Sequence, residues 1–456
     1  GVLPAAMLRR LASGTGPAVA SRSCRPAPPA RRLAALVVRQ TALLPQRRAA
    51  PGPWGCGPEG RGVASGSRRA SSGASRPRPP APPAAVGACL LDVDTPALVV
   101  ELDALEANVR RMTESLGGFP NVSLRPHAKS HKTVEVALLQ MQQPRTVGVC
   151  CQKVSEAVAM ADAVGDILLT NEVATPAKAR RLAALARRGC SVSAVVDSPQ
   201  SAELLAAASR REGVRLGVLV DVNVGQDRCG VDTPAEAVAL AQALSNLEEL
   251  HFRGIQAYQG LAQHIRNHSE RAAAAAATAR RARDVAGALE EAGFPCEVVT
   301  GGGTGTYELD AASGVFTEVQ PGSYVFGDVD YSRNLDAQGE PVSAWRQSLF
   351  VAATVISRNT ASRRVVLDAG LKAVSYDSGP PLVRGWPDDA ARIESGGDEH
   401  TLLHVRPGTA LPALGEQLLL VPGHCDPSVN LHDHLLGLRG GVVESIWPVA
   451  ARGPGH

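Results

Sequence analysis

Arg125-Pro126-His127-Ala128-Lys129-Ser130-His131-Lys132 lies between a polar turn, Gly117 to Asn121, and a helical pattern from about Thr133 to Met141. It reads as a short strand, Leu124 to Lys129, whose C-terminal end carries a lysine. In a barrel of parallel strands that end is where catalytic side chains stand. A lysine placed there among His127, His131 and other cations, partly withdrawn from water, is expected to have its pKa lowered, as an amine nucleophile needs. A basic surface loop accounts for these eight residues equally well, so the decision rests on the chain around them.

Outward from this stretch a rhythm sets in. Apolar runs of strand length recur at Val147–Cys151, Ile167–Asn171, Val192–Asp197, Leu216–Val222, Phe252–Tyr258, Glu297–Thr300 and Val315–Pro321. Between most of them lie segments of helical period: Ser155–Val164, Pro176–Arg188, Pro199–Glu212, Pro234–Leu244 and Glu270–Ala292. Proline opens several of these, where its missing N–H costs nothing. Near-continuous apolar strands alternating with amphipathic helices predict a parallel sheet covered on both faces. Eight such strands predict an α/β fold, a (β/α)₈ barrel; a doubly wound open sheet is the alternative. Thr95 to Glu101 reads as a further strand and Leu102 to Leu116 as an amphipathic helix, which puts the start of the barrel domain at 93 and its end at 339. Beyond Gly322 the pattern changes to strands (Trp345–Ser357, Arg364–Asp368, Leu418–Val421) and Gly/Pro/Asp turns, predicting a β-rich C-terminal domain over 340–452.

The N-terminal stretch is different in kind. From Gly1 to Leu91 the sole acidic residue is Glu59, there is no lysine, and arginine recurs among Ala, Pro, Ser and Gly. The expectation for 1–88 is a disordered segment that serves as an organellar, mitochondrial targeting sequence; a disordered tail on a cytoplasmic protein is the alternative. The apolar run Leu33 to Val38 is too short to span a membrane. The nine cysteines are scattered, with no CxxC pair, which argues against a disulfide framework or a zinc finger.

Polar residues gather where the barrel places strand ends: Lys129, Gln152, Asn171 with Glu172, Asn223, Arg228, Tyr258, the run Thr300-Gly301-Gly302-Gly303-Thr304-Gly305-Thr306, and Tyr324. The glycine-rich run follows the seventh strand, where barrels often bind phosphate through backbone N–H groups; tight packing explains such a run equally well. With a lysine on the first strand it describes a cofactor bearing a phosphate and an aldehyde, pyridoxal 5′-phosphate. A second constellation, Pro422-Gly423-His424-Cys425-Asp426, follows the strand Leu418–Val421. If extended backbone continues, His424 and Asp426 face one side and Cys425 the other. Imidazole plus carboxylate suits Zn²⁺, Mn²⁺ or Mg²⁺ and leaves positions for substrate; a polar turn is the plainer reading. Cys150, Cys151 and Cys425 read as small buried hydrophobes. His264, His268 and His432 belong to no constellation, and Tyr376-Asp377-Ser378 reads as a turn or as the border of a partner's site.

Taken together, RPHAKSHK, VGVCCQK, DILLTNEV, VGQDRCGV, TGGGTGTY, QPGSYVF and VPGHCDPSVNLHD, in this order over about residues 93 to 450, resemble the metal-activated D-threonine aldolase and D-serine dehydratase family. The resemblance implies an alanine-racemase-type barrel followed by a β domain. It implies that Lys129 forms a Schiff base with pyridoxal phosphate and that Arg228 lies beside the cofactor ring. Tyr258, Gly301, Gly302, Gly303, Thr304, Gly305, Thr306 and Tyr324 would then surround the cofactor. His424 and Asp426 would hold the divalent metal, Gln152 would touch substrate, and His127 or His131 would serve in proton transfer. In the family's metal motif His-x-Asp looks like the aldolase and His-x-Cys like the dehydratase, so this chain leans to the aldolase. The expected reaction is cleavage of D-threonine to glycine and acetaldehyde; conversion of D-serine to pyruvate and ammonia is the alternative. A metal-free racemase and a non-enzymatic carrier of pyridoxal phosphate are the more distant readings. The expected partner is a small D-amino acid, with neither nucleic acid nor membrane, and the family expectation is a homodimer.

Overall fold

The structure, a computed structural model, describes residues 81–455. The expectation of a targeting segment falls on 1–88, most of which lies outside the described residues. Its last residues, though, belong to the folded body: Gly87 N–H donates to Val443 O at 2.8 Å and Ala88 O accepts from Val443 N–H at 2.9 Å. The domain edge expected at 88 therefore sits several residues too late.

The chain opens with β1 (Ala97–Glu101) and α1 (Leu102–Ser115). The barrel follows as β2 (Ser123–Leu124), α2 (Val134–Met141), β3 (Val149–Cys151), α3 (Val154–Val164), β4 (Asp166–Leu169), α4 (Pro176–Arg187) and β5 (Ser191–Val196). It continues with α5 (Pro199–Glu212), β6 (Leu216–Asp221), α6 (Pro234–Ser245), β7 (Leu250–Gln256), α7 (His268–Glu291), β8 (Val298–Gly301), α8 (Tyr307–Ala312) and β9 (Glu318–Val319). The eight strands β2 to β9 run parallel in the order β2-β9-β8-β7-β6-β5-β4-β3. Bridges Leu124–Thr146 and His127–Cys150 join the two ends, so the sheet curls back on itself. Three consecutive helices start the way their sequence predicts: proline at the first helical position, with the hydroxyls of Thr175, Ser198 and Thr233 capping α4, α5 and α6. Inside the barrel the buried Arg125 guanidinium bonds Glu318 (2.9–3.1 Å) and Asp166 (2.5 Å), tying β2 to β9 and β4.

After the short helix α9 (Val329–Ser332), the second part comprises β10 (Leu349–Asn359), β11 (Arg364–Leu367), β12 (Leu382–Val383), β13 (Ala391–Ser395), β14 (Thr401–Val405), β15 (Gln417–Val421), α10 (Cys425–Val429), β16 (His434–Arg439) and β17 (Val442–Pro448). Its sheet runs β13-β14-β11-β10-β1-β16-β17, with β15 also on β10 and β12 on β15. The strand at 97–101, expected at the start of the barrel domain, is thus a central strand here, antiparallel to β10 and parallel to β16. Ala97 to Val100 are buried at every position, and such a run fits the middle of either sheet; its pattern carries no record of which. One core cluster joins Leu124, Val136 and Tyr324 of the barrel to Val351 and Leu420 of the sheet and Val429 of α10, so the two parts pack on a shared apolar layer. Among the described residues no helix is long and apolar enough to cross a membrane.

Candidate active site

The lysine stretch ends differently from the simple strand the sequence predicts. Arg125 and His127 still donate ladder bonds, to Val319 O and Pro321 O (both 3.0 Å). Ala128–Ser130 then winds into a 3₁₀ turn, so Lys129 stands one step beyond the strand. Its amine lines a cavity of about 250 Å³ together with His127, Gln152, Arg228, Tyr258 and His424. Lys129 Nζ donates to Asp426 Oδ2 at 2.5 Å. The two constellations that the sequence keeps apart are therefore one site, built where the barrel meets the second sheet.

This contact corrects the expected charge state. Burial works to discharge Lys129, but the Asp426 carboxylate outweighs it, and the amine's pKa is raised, not lowered. Burial likewise opposes charge on Asp426, yet Lys129 and His424 hold its carboxyl well below the usual range. Ser323 Oγ donates to the other oxygen, Asp426 Oδ1, at 3.2 Å.

The backbone at the second constellation is not extended throughout. His424 is extended (φ −141°, ψ 127°), but α10 begins at Cys425. His424 Nε2 still comes to 3.9 Å from Asp426 Oδ1, because the first turn of the helix folds the carboxylate back toward the imidazole. Strand alternation is the wrong reason for a pairing that does occur. Cys425 is fully buried in the core, as expected. The other ring nitrogen, His424 Nδ1, pairs with Asp377 Oδ2 at 2.8 Å. Asp377 comes from the turn that the sequence leaves unassigned, and in metal sites a carboxylate in this position fixes the imidazole and turns its free nitrogen to the ion. Burial opposes charge on His424, but Asp426, Asp377 and Asp328 together raise its pKa.

His127 Nε2 pairs with Thr170 Oγ1 at 3.0 Å and its Nδ1 accepts from Lys129 N–H at 3.4 Å. Burial, then the nearby Lys129 charge, pushes its pKa down to about 3, so the ring is neutral. Gln152 is held by Thr170 through both ends of its amide, at 3.2 and 3.3 Å. His131 does not join the cavity: it is fully buried, and its Nδ1 accepts from Thr133 N–H at 3.1 Å. Nor does the Tyr324 side chain. Its ring is fully buried against Trp345, and its hydroxyl accepts from Gln140 at 3.0 Å. Only its backbone N–H reaches the glycine-rich run, at Thr304 Oγ1 (3.2 Å).

That run, expected to share the lysine's pocket, borders a separate cavity of about 600 Å³ through Thr304, Gly305 and Thr306. Tyr258 stands between the two: a methyl group built at Gly303 would lie 3.0 Å from its hydroxyl. Thr306 Oγ1 is committed to Asp310 Oδ2 (2.6 Å), Gly303 N–H (3.3 Å) and Gln263 (2.9 Å). Of the two threonine hydroxyls, only that of Thr304 has a proton unengaged among the described residues. Asn223 closes its own loop by bonds to Asp227 and Asp232. Glu172 clusters with Asp197 and Cys229 and does not line the lysine's cavity. The sequence reading also misses His264 and Asp330, whose side chains pair at 2.5 Å beside the cavity; a lone histidine on a turn gives no pattern to find.

A curled parallel barrel with a lysine past its first strand, completed by an antiparallel sheet that brings His424 and Asp426 to that lysine, defines an enzyme of the alanine racemase type. Residues 100–330 match the family described as alanine racemase, N-terminal domain, and residues 348–438 the putative serine dehydratase domain. The chain is 46% identical to D-threonine aldolase of an Arthrobacter species over 373 residues, 82% of this chain and 96% of that protein. It is 43% identical to 3-hydroxy-D-aspartate aldolase of Paracoccus denitrificans over 377 residues, again 82% of this chain and 96% of that protein. The crystal structure of D-threonine aldolase from Filomicrobium marinum superimposes with a TM-score of 0.77 at 44% identity, covering 81% of this chain and 99% of that one. The chain belongs to the family of D-threonine aldolases and D-serine dehydratases.

Proposed function

We propose that this protein is a lyase for D-configured 3-hydroxy amino acids that cleaves D-threonine to glycine and acetaldehyde, using pyridoxal 5′-phosphate and a divalent cation. The observation that carries the reading is the 2.5 Å contact between Lys129 Nζ and Asp426 Oδ2, which gives one cavity both an amine and an imidazole–carboxylate pair. The likeness to D-threonine aldolase over 82% of the chain supports it. So does an aspartate, with a buried cysteine beside it, at the second position of the metal motif.

The residues fit both groups. Lys129 offers an amine to a polar cavity, where Arg228 and Tyr258 would lie along a cofactor ring. Thr304 and the glycine-rich run beyond Tyr258 would take the phosphate. His424 and Asp426 would hold the cation, with Asp377 fixing the imidazole. When bound, pyridoxal phosphate supplies a ring that takes up the electron pair released at the α-carbon, and a divalent cation supplies charge that eases loss of the 3-hydroxyl proton.

The chain's own residues do the rest. Asp426 Oδ2 holds the Lys129 ammonium in place at the cavity. His127 stays neutral, with Nδ1 accepting from Lys129 N–H and Nε2–H facing Thr170 Oγ1, so both nitrogens are engaged and the ring serves to position the lysine turn. Gln152, fixed by Thr170, presents its amide to the cavity for substrate. In the reaction the 3-hydroxyl loses its proton, the Cα–Cβ bond breaks to release the aldehyde, and the α-carbon takes up a proton to give glycine.

The test is spectroscopic. Protein loaded with pyridoxal phosphate should absorb in the visible as a lysine-linked aldehyde does. Lys129→Ala should lose that band and all turnover. An unchanged spectrum in the variant rules out Lys129 as the attachment point.

A further inference from the structure

The glycine-rich run has a side chain lying in it. Gln263 stands on the 3₁₀ turn Leu261–His264 that follows β7, and it is 1% exposed. Its Oε1 accepts from Gly305 N–H at 2.8 Å. Its Nε2 donates to Thr306 Oγ1 at 2.9 Å and to Gln259 O at 3.1 Å. Its carbonyl accepts from Asn334 Nδ2 at 2.9 Å. Methyl groups built at Gly303 and Gly305 would lie 2.5 and 2.6 Å from Gln263 atoms. These two positions must be glycine because Gln263 is packed against them.

A carboxamide has two donor protons and one acceptor oxygen, and all three are used here. The loop from Gly303 to Thr306 is consequently held from behind by one neutral side chain. We propose that Gln263 is a positioning residue for the cofactor's phosphate: its carboxamide fixes the glycine-rich loop in the conformation that receives the anion. This rests on the reading of that loop as the phosphate seat. Two consequences follow from the chemistry. An apolar isostere leaves the half-buried Gly305 N–H without its partner, so the loop is free to leave this conformation. A carboxylate in the same place keeps the acceptor for Gly305 N–H but removes the donor to Thr306 and sets a negative charge behind a phosphate.

The experiment is a spectral titration of the full chain with pyridoxal phosphate and, separately, with pyridoxal, which lacks only the phosphate. The parent protein should prefer the phosphorylated form. Gln263→Met should weaken pyridoxal phosphate about tenfold, the equivalent of one lost hydrogen bond, and leave pyridoxal unchanged. Gln263→Glu should weaken the phosphorylated form further, again with pyridoxal unchanged. Unchanged pyridoxal binding also shows that the variants fold. Should both variants keep the parent's full preference, or lose both ligands equally, the positioning role is overturned while the functional reading stands. A parent protein that does not tell the two ligands apart overturns the loop's reading and this inference with it.

Discussion

His424 is held between two carboxylates, Asp377 on Nδ1 at 2.8 Å and Asp426 at 3.9 Å from Nε2. The first fixes the ring, and the second lies between the imidazole and Lys129 Nζ. Removing either group of the His–Asp pair, His424→Ala or Asp426→Ala, should empty the metal site and abolish turnover. Asp377→Asn should instead weaken the metal by roughly 10–100-fold, with turnover restored at high metal concentration. Cys425→Ser should keep its metal, since the thiol is buried and only donates to Asp426 Oδ1 at 3.3 Å, a bond that a serine hydroxyl can also make. Metal content measured on the four variants checks this. A Cys425→Ser protein without metal, beside an Asp426→Ala protein that retains it, would make the ligand assignment wrong. The pair His424 and Asp426 is legible in the sequence because two ligand types stand two residues apart. Asp377 is not, because it lies 47 residues earlier on a polar turn like many others. Tyr324 differs for a related reason: a motif names a residue without saying that its ring packs on Trp345 while its backbone N–H meets Thr304.

At the scale of elements, the short helix α9 and the turn before α7 are joined by Asp330, which pairs with His264 at 2.5 Å and with Arg266. Burial alone raises the Asp330 carboxyl, but the bonds from His264 and Arg266 outweigh it and bring its pKa down to about 2. A folded-state pKa below the unfolded one gives stability that is present above the unfolded value and is lost as pH falls through the folded one. Asp330→Asn should therefore cost ~2 kcal/mol at neutral pH, with the difference shrinking as pH drops from about 4 toward 2. Urea unfolding of both proteins at pH 7 and at pH 3 measures it. A difference that is the same at both pH values contradicts the account. The barrel elements are legible because their apolar periods change from strand to helix and Thr/Ser–Pro pairs mark three helix starts. Strands β12, β13, β14, β16 and β17 are not, since short strands with one wet face and glycine turns carry a weak period.

For the whole molecule, the second sheet is built from both sides of the barrel sequence, β1 from before it and β10 to β17 from after it, and the site lies where the two parts meet. Separations such as the 297 residues between Lys129 and Asp426 leave no local trace, which is why the sequence shows two constellations and the fold shows one. The same sheet binds the residues before β1. A chain beginning at Asp92 loses the bonds of Gly87 and Leu90 to β17 and its preceding turn, and that of Val443 N–H to Ala88 O. It should be less stable than one beginning at Pro82 by ~1–3 kcal/mol, read from thermal or urea unfolding; equal stability would mean that this edge contributes nothing. On the proposed function one cavity, with its lysine and its His–Asp pair, would break the Cα–Cβ bond of a D-3-hydroxy amino acid with the help of a metal. The most direct measurement is product analysis with D-threonine, in chelator and then with Mn²⁺ restored. Glycine and acetaldehyde in equal amounts, lost with chelator and recovered with metal, is the predicted result; 2-oxobutyrate with ammonia, or turnover indifferent to chelator, would contradict it.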